Sequence, residues 1–374
     1  MKIGFITTYF CPLQGGVETN IFFLAKELIS QGHEVHVFTS DRKGNERFRK
    51  EERIERIYIH RYKPLFRYRY YFVLTPGLLQ GLYKIKGLDI LHVHSIGFFW
   101  HEWCAKKYKR RYPKTRLILT PHGPFMALQY NQQGRIIKKI GDRIIRGNVR
   151  KYEKIIAVNP KQGGWLSAEY GIASEKLAYV PNGIADRIIT DIKKEKAKKQ
   201  VQITYVGRLN PYKGVNDLLT ILPDLPIKVQ VQIITSDKDH LEYTKKAIKK
   251  ECEGRVQFFI GSDDEKKFAI LERSHIFVMP SQWEAFSIGI LEAMAKGNAI
   301  VSTRTEGGTF LVEEGKNGLL YDWGNKEQLK ECLLKVCNND TFRNEVGKNN
   351  RKKAEAFVWS KIGKMLEQVY KRTK

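Results

Sequence analysis

Short β-branched runs alternate with amphipathic stretches along most of the chain. KIGFITTYF (2–10) reads as a strand, VETNIFFLAKELISQG (17–32) as a helix and HEVHVFTS (33–40) as a second strand. IERIYIHRY (54–62), LDILHVHS (88–95), TRLILTPHG (115–123) and KIIAVN (154–159) continue the strands, with a helix through FFWHEWCAKKYKRR (98–111). Strand, helix, strand at these loop lengths predicts a parallel sheet with helices on its faces. After LAYVPNGI (177–184), ADRIITDIKKEKAKKQ (185–200) is charged and shows no apolar period. A second series follows, with VQITYVGRL (201–209), KVQVQIITS (228–236), RVQFFIGS (255–262), HIFVMPS (275–281), NAIVSTR (298–304) and NGLLYD (317–322). The pattern predicts an α/β protein of two doubly wound, Rossmann-like domains facing a central cleft, where strand carboxyl ends from both can meet one ligand. The expected divisions are a first domain over 1–185, a linker over 186–200, a second domain over 201–355 and a terminal helix over 356–374 that could fold back on the first.

Composition fits this picture. At 374 residues and 42% hydrophobic, the chain suits two packed domains. MKIGFITTYF enters a strand without a basic leader segment, and apolar runs such as YFVLTPGLL (71–79) fall far short of the roughly 20 residues a bilayer crossing needs. Five scattered cysteines lack metal or disulfide spacing. A cytoplasmic protein is expected, with attachment to the cytoplasmic membrane face left open. The formal charge of +26 calls for an anionic partner: nucleic acid, a membrane surface or a phosphorylated substrate.

PSQWEAFSIGILEAMAKG (280–297) places Glu284 and Glu292 at either end of an apolar segment. Residues eight apart on one helix lie about 80° out of alignment. The segment therefore reads as a strand end, a loop holding Glu284, Ser287 as N-cap, and a helix carrying Glu292 until Gly297 stops it. Unpaired N–H groups at that helix mouth suit a phosphate, with the carboxylates placed to accept hydroxyl hydrogen bonds. A helix-dipole charge and a solvated glutamate would explain the same residues. YVGRLNPYKG (205–214) adds Arg208 and Lys213 at a strand's carboxyl end, where a guanidinium fork and a point charge suit a diphosphate.

GRLNPYKG followed by PSQWEAFSIGILEAMAKGNAIVST resembles the retaining nucleotide-sugar glycosyltransferases of the GT-B fold, glycosyltransferase family 4, also called group 1. QGGVETN, LHVHS, TPHG and VPNGI agree in order along nearly the whole chain. The resemblance implies that Arg208 and Lys213 neutralise the donor diphosphate and that Glu292 takes the ribose hydroxyls. It implies that Glu284 contacts the donor sugar beside the amides of Phe286, Ser287 and Ile288. Gly15 and Gly16 would admit phosphate and sugar close to the backbone. His122 would stand near sugar and acceptor, as a hydrogen-bonding group or a general base, and Asn182 and Gly183 would line the cleft. The implied reaction moves a hexose from a UDP- or GDP-sugar to a glycan or lipid-linked acceptor, with retention and without a metal or other cofactor.

Two departures qualify the resemblance. EGGTFLVEEGKNG (306–318) lacks the usual glutamate after its paired glycines, so Gly307 and Gly308 are expected near the phosphate with altered contacts. Ser287 stands where the family often has glycine. Asp237-Lys238-Asp239 matches the Asp-x-Asp metal signature of another glycosyltransferase fold, and reads here as a surface turn. His92 and His94 alternate on one strand and suit structure or cleft lining better than metal, for want of a third ligand.

The basic residues cluster at 61–72, 106–116 and 134–154, the first two interleaved with aromatics and the third carrying an Ile136, Ile137, Ile140, Ile144, Ile145 stripe. Docking on an anionic membrane and plain solvation both fit. A phosphorylase, a sugar-nucleotide epimerase and a nucleic-acid-binding protein remain as alternatives; no pyridoxal-lysine segment or recognised nucleic-acid module supports them, and no specific nucleic acid is expected.

Overall fold

The computed structural model describes residues 1–13, 15–43, 46–68, 72–123, 143–190 and 200–373. The chain divides into two compact units, Met1–Asn182 with Trp359–Lys374, and Gly183–Val358. Most of the expected linker, residues 191–199, lies outside the described residues.

The first unit is built on a sheet ordered Leu177–Tyr179, Lys154–Ala157, Arg116–Thr120, Ile90–His94, Lys2–Ile6, Glu34–Ser40, Ile57–Tyr62 and Glu51–Ile54. All neighbours run parallel except the last pair. That antiparallel edge departs from the all-parallel expectation: Glu55 and Arg56 both take positive φ, and the turn they make returns the chain beside Ile57–Tyr62. Two-sided burial explains the apolar strand runs, since Ile6, Leu91 and Val93 join one core and Ile3, Phe5 and Ile90 the other. Helix Trp359–Arg372 belongs to this unit and buries Trp359, Ile362, Leu366 and Tyr370. It lies so close to helix Gly16–Ser30 that a Cβ at Gly363 would stand 2.4 Å from the Cβ of Glu27. Each such side chain contributes about 1.5–3 kcal/mol by leaving water.

The second unit has six parallel strands ordered Val256–Ile260, Val229–Thr235, Val201–Val206, Ile276–Met279, Ala299–Thr303 and Gly318–Tyr321. The chain winds outward from Val201–Val206 in one direction, then returns to place Ile276–Met279 on its other side. This reversal leaves a crevice outside the carboxyl ends of those two central strands. GRLNPYKG and SQWEAFS are the loops that follow them.

Of the isoleucine stripe, Ile136, Ile137 and Ile140 lie outside the described residues; Ile145 is buried in the first core and Ile144 is exposed. Among the described residues no helix is long and apolar enough to cross a membrane.

Candidate functional site

The first crevice loop is braced from below. Tyr205, buried at the end of its strand, donates its hydroxyl to the Arg208 carbonyl at 2.5 Å. Asp237 accepts from the Leu209 N–H at 3.0 Å and from the N–H groups of Asp239 and His240. Burial works against the Asp237 charge, but these donors and the His240 ring outweigh it and lower its pKa. The Asp237 side chain is thus a buried brace, whereas the expected surface turn describes only exposed Lys238 and Asp239.

Arg208 is exposed, and no hydrogen bond or ion pair holds its guanidinium among the described residues. The loop then turns through Pro211–Lys213 and closes at Gly214, whose φ is +67°. A Cβ there would meet the Pro280 carbonyl oxygen at 2.1 Å, so the two crevice loops touch backbone to backbone. Gln282 N–H donates to the Tyr212 carbonyl at 2.7 Å across the same seam. Gly214→Ala should therefore lower stability by at least about 1–2 kcal/mol, through left-handed strain and the clash together. A urea midpoint matching the parent would show that the seam yields.

Across that seam the Lys213 Nζ lies 2.6 Å from Glu284 Oε1, with both side chains largely shielded from solvent. Ser281 Oγ donates to the same oxygen at 2.9 Å. Glu284 Oε2 has no hydrogen-bond partner among the described residues.

Helix Ile288–Ala295 begins after Ser287, whose Oγ accepts from the Ile290 N–H at 3.4 Å. Ser287 has φ +66°. That left-handed backbone is the physical reason glycine suits the position, and Ser287 keeps a cap in exchange for strain. Among the described residues no acceptor meets the N–H groups of Phe286, Ser287 or Ile288. The Phe286 ring is buried against Phe310 and Phe357, which holds those amides in place.

Glu292, buried one turn into the helix, accepts from Lys267 Nζ at 2.7 Å through Oε1, while Oε2 has no partner among the described residues. Lys267, from helix Asp264–Arg273, also pairs with Asp264 at 2.9 Å. Burial raises the Glu292 pKa against the pull of Lys267; burial disfavours the Lys267 charge, yet its two carboxylates raise its pKa overall. The sequence reading missed Lys267, one lysine of many in an amphipathic helix.

Gly307 and Gly308 are spent on packing. A Cβ at Gly307 would stand 2.6 Å from the Phe286 backbone, and one at Gly308 would stand 2.3 Å from the Thr303 carbonyl oxygen. Their N–H groups already donate to the Glu284 carbonyl and the Thr305 hydroxyl. Neither amide is left for the phosphate expected from the sequence; the pair instead locks the Glu284 loop.

In the first unit, Gly15 precedes helix Gly16–Ser30 in extended backbone, and a Cβ on Gly16 would meet nothing within 4 Å. The protein itself thus imposes no glycine at 16. Asn182 accepts from Asn20 Nδ2 at 2.7 Å. Gly183 begins the second unit. His122, at φ +57°, has its Nε2 2.8 Å from His94 Nδ1, and burial pushes its pKa down to about 3. His92 bonds Tyr370 and Thr120 at 2.7 and 2.8 Å, and burial holds both strand histidines well below the ordinary value. His92 and His94 are neutral imidazoles held inside the first unit. Among the described residues no three His, Cys, Asp or Glu side chains gather as metal ligands.

Comparison with known proteins agrees with this layout. Residues 14–187 match the family described as Glycosyltransferase Family 4, and residues 186–353 match Glycosyl transferases group 1. An uncharacterized glycosyltransferase of Methanocaldococcus jannaschii is 25% identical, covering 100% of this chain and 98% of its own. Sucrose-phosphate synthase of Thermosynechococcus elongatus superposes with TM-score 0.80 at 18% identity, covering 99% of this chain and 98% of its own. The Anabaena protein HepE, solved in complex with UDP and glucose, superposes with TM-score 0.78 at 16% identity, covering 99% of each chain. With consecutive matches across both of its Rossmann-like units, the chain belongs to the group 1, family 4 glycosyltransferases of the GT-B fold, which use nucleotide sugars.

Proposed function

We propose that the chain transfers a hexose from a UDP- or GDP-sugar to a glycan or lipid-linked acceptor, with retention and without a metal. The observation that carries this reading is the Lys213–Glu284 pair at 2.6 Å on the switch-point seam. It joins a diphosphate cation to a carboxylate with one oxygen open. Arg208 and Lys213 meet the diphosphate, the amides of Phe286, Ser287 and Ile288 share its charge, Glu284 Oε2 accepts from a sugar hydroxyl, and Glu292 Oε2 accepts from the ribose. As the bond from the anomeric carbon to the phosphate oxygen breaks, negative charge grows on the leaving diphosphate, and these donors already stand in place. They supply the compensation a cation would otherwise give. With its pKa near 3, His122 is a poor proton acceptor at neutral pH and serves as a hydrogen-bonding group.

A thermal-shift panel of UDP, GDP and ADP, with Mg²⁺ and with EDTA, tests the donor half. UDP comes first because HepE holds it on this fold. A true ligand at a hundredfold its Kd stabilises the folded state by about 2.7 kcal/mol. One nucleotide should stand clear and shift equally in EDTA; a flat panel would sink the reading, and a shift seen only with Mg²⁺ would overturn metal independence. The configuration of the new glycosidic bond, read by NMR, checks retention.

A further inference from the structure

Helix Phe99–Arg111 turns an unusual face outward. Its buried side is His101, Glu102, Cys104, Ala105 and Tyr108; along the opposite stripe Trp100 is half-buried against the first core, Lys107 is half-buried, and Trp103 and Arg111 are exposed. Trp100 and Trp103 stack at 4.8 Å, Lys107 Nζ sits 5.3 Å over the Trp103 ring, and the Arg111 guanidinium lies 4.7 Å over Tyr83 of the neighbouring helix Gly77–Lys84. Trp103 remains 39% exposed.

A second exposed apolar element is tied to this stripe. Trp100 Nε1 donates to the Thr75 carbonyl at 2.7 Å, and the preceding residue, Leu74, accepts from the Leu65 N–H at 2.8 Å. Leu65 and Phe66 are 72% and 50% exposed. They also form the lip of a cavity of about 210 Å³ whose wall includes Tyr9, Ser40 and Arg42, at the carboxyl end of the sheet.

The charge around these side chains is unbalanced. Residues 56–88 contain no acid, and neither do residues 103–116. Glu102, the acid of the helix, is buried and occupied by the Gly97 N–H and Asn148. Lys109 of this helix is matched by Glu153 at 2.7 Å, whereas Lys107 and Arg111 make no ion pair among the described residues.

We propose that Leu65, Phe66, Trp103, Lys107 and Arg111 dock the first unit on an anionic lipid bilayer. Lys107 and Arg111 meet lipid phosphates, while the Trp103 indole sits at headgroup depth and Leu65 with Phe66 reaches the acyl boundary. A nucleic acid would use the cations and stack on Trp103, but it gives an exposed leucine nothing to enter. The assignment does not depend on the donor reading and is tested without turnover.

Full-length protein is sedimented with vesicles of phosphatidylcholine alone and of phosphatidylcholine with phosphatidylglycerol. The parent should bind the anionic vesicles and leave the neutral ones. Leu65→Ala with Trp103→Ala keeps the charge and should lower the anionic partition about tenfold. Lys107→Glu with Arg111→Glu should lower it at least as far. Lys249→Glu with Lys250→Glu, equal in charge but exposed on the second unit, should change it about twofold or less. Melting midpoints establish that each variant is folded. Full retention by the apolar pair would mean that charge alone binds any polyanion and would overturn the proposal, as would equal losses in the control pair or a parent that ignores anionic lipid.

Discussion

Lys213→Ala should lower kcat about 10²–10³-fold, the loss typical of removing one donor from a site where negative charge develops. Charge on the diphosphate grows as the glycosidic bond breaks, so the ammonium counts for more in the transition state than in the bound donor. Nucleotide affinity should fall far less than kcat, since on the proposed reading Arg208 and the amides of Phe286, Ser287 and Ile288 would still hold the diphosphate. Lys213→Arg is the informative companion. It keeps the charge, but a planar fork cannot occupy the 2.6 Å contact to Glu284 as a compact ammonium does. Recovery should be partial. Glu284→Gln completes the contrast: it should keep the Ser281 contact, spare nucleotide binding and harm transfer, because on the proposed reading the group facing the sugar would change from an acceptor oxygen to an NH2. A Lys213→Ala enzyme with kcat near the parent's would remove Lys213 from the reaction and leave Arg208 as the cation to test.

The two sheets were legible because parallel strands buried on both faces show as continuous apolar runs. Glu51–Ile54, whose sequence is EERI, carries no such run and was invisible until its turn was seen. The crevice loops were legible for a different reason: glycine, arginine and lysine crowd the carboxyl ends of strands, and Ser287 and Gly297 mark the ends of a helix. What local pattern could not show were partnerships made across the fold. Lys267 reaches Glu292 from another helix, and Asp237 turns inward to Leu209 although its neighbours face water. The paired glycines show a packing role that local pattern also hides. Gly307 and Gly308 are expected near a phosphate with altered contacts; the structure shows their N–H groups already bonded and the space a side chain would fill taken by the Phe286 and Thr303 backbone.

Glu292→Ala should abolish measurable nucleotide binding and also cost about 3 kcal/mol of stability. The second effect arises because Lys267 would stay buried with its main partner gone, and breaking a buried pair from one side is costlier than removing both partners. Asp264, 2.9 Å from Lys267, offers partial compensation and holds the loss to the lower end of the usual range. Binding and folding can be separated. Glu292→Ala with Lys267→Met removes both charges, so its urea midpoint should recover most of the loss while nucleotide binding stays absent. Glu292→Gln should keep its one amide oxygen on Lys267 and turn its NH2 to the ribose, where it donates to a hydroxyl oxygen but no longer accepts, so nucleotide should bind weakly. If the double variant regains both stability and nucleotide binding, Glu292 is a structural partner of Lys267 alone, and the ribose must be held elsewhere in the crevice. If stability returns without binding, the carboxylate has two duties: Oε1 anchors the helix to Lys267, and Oε2 receives the nucleotide.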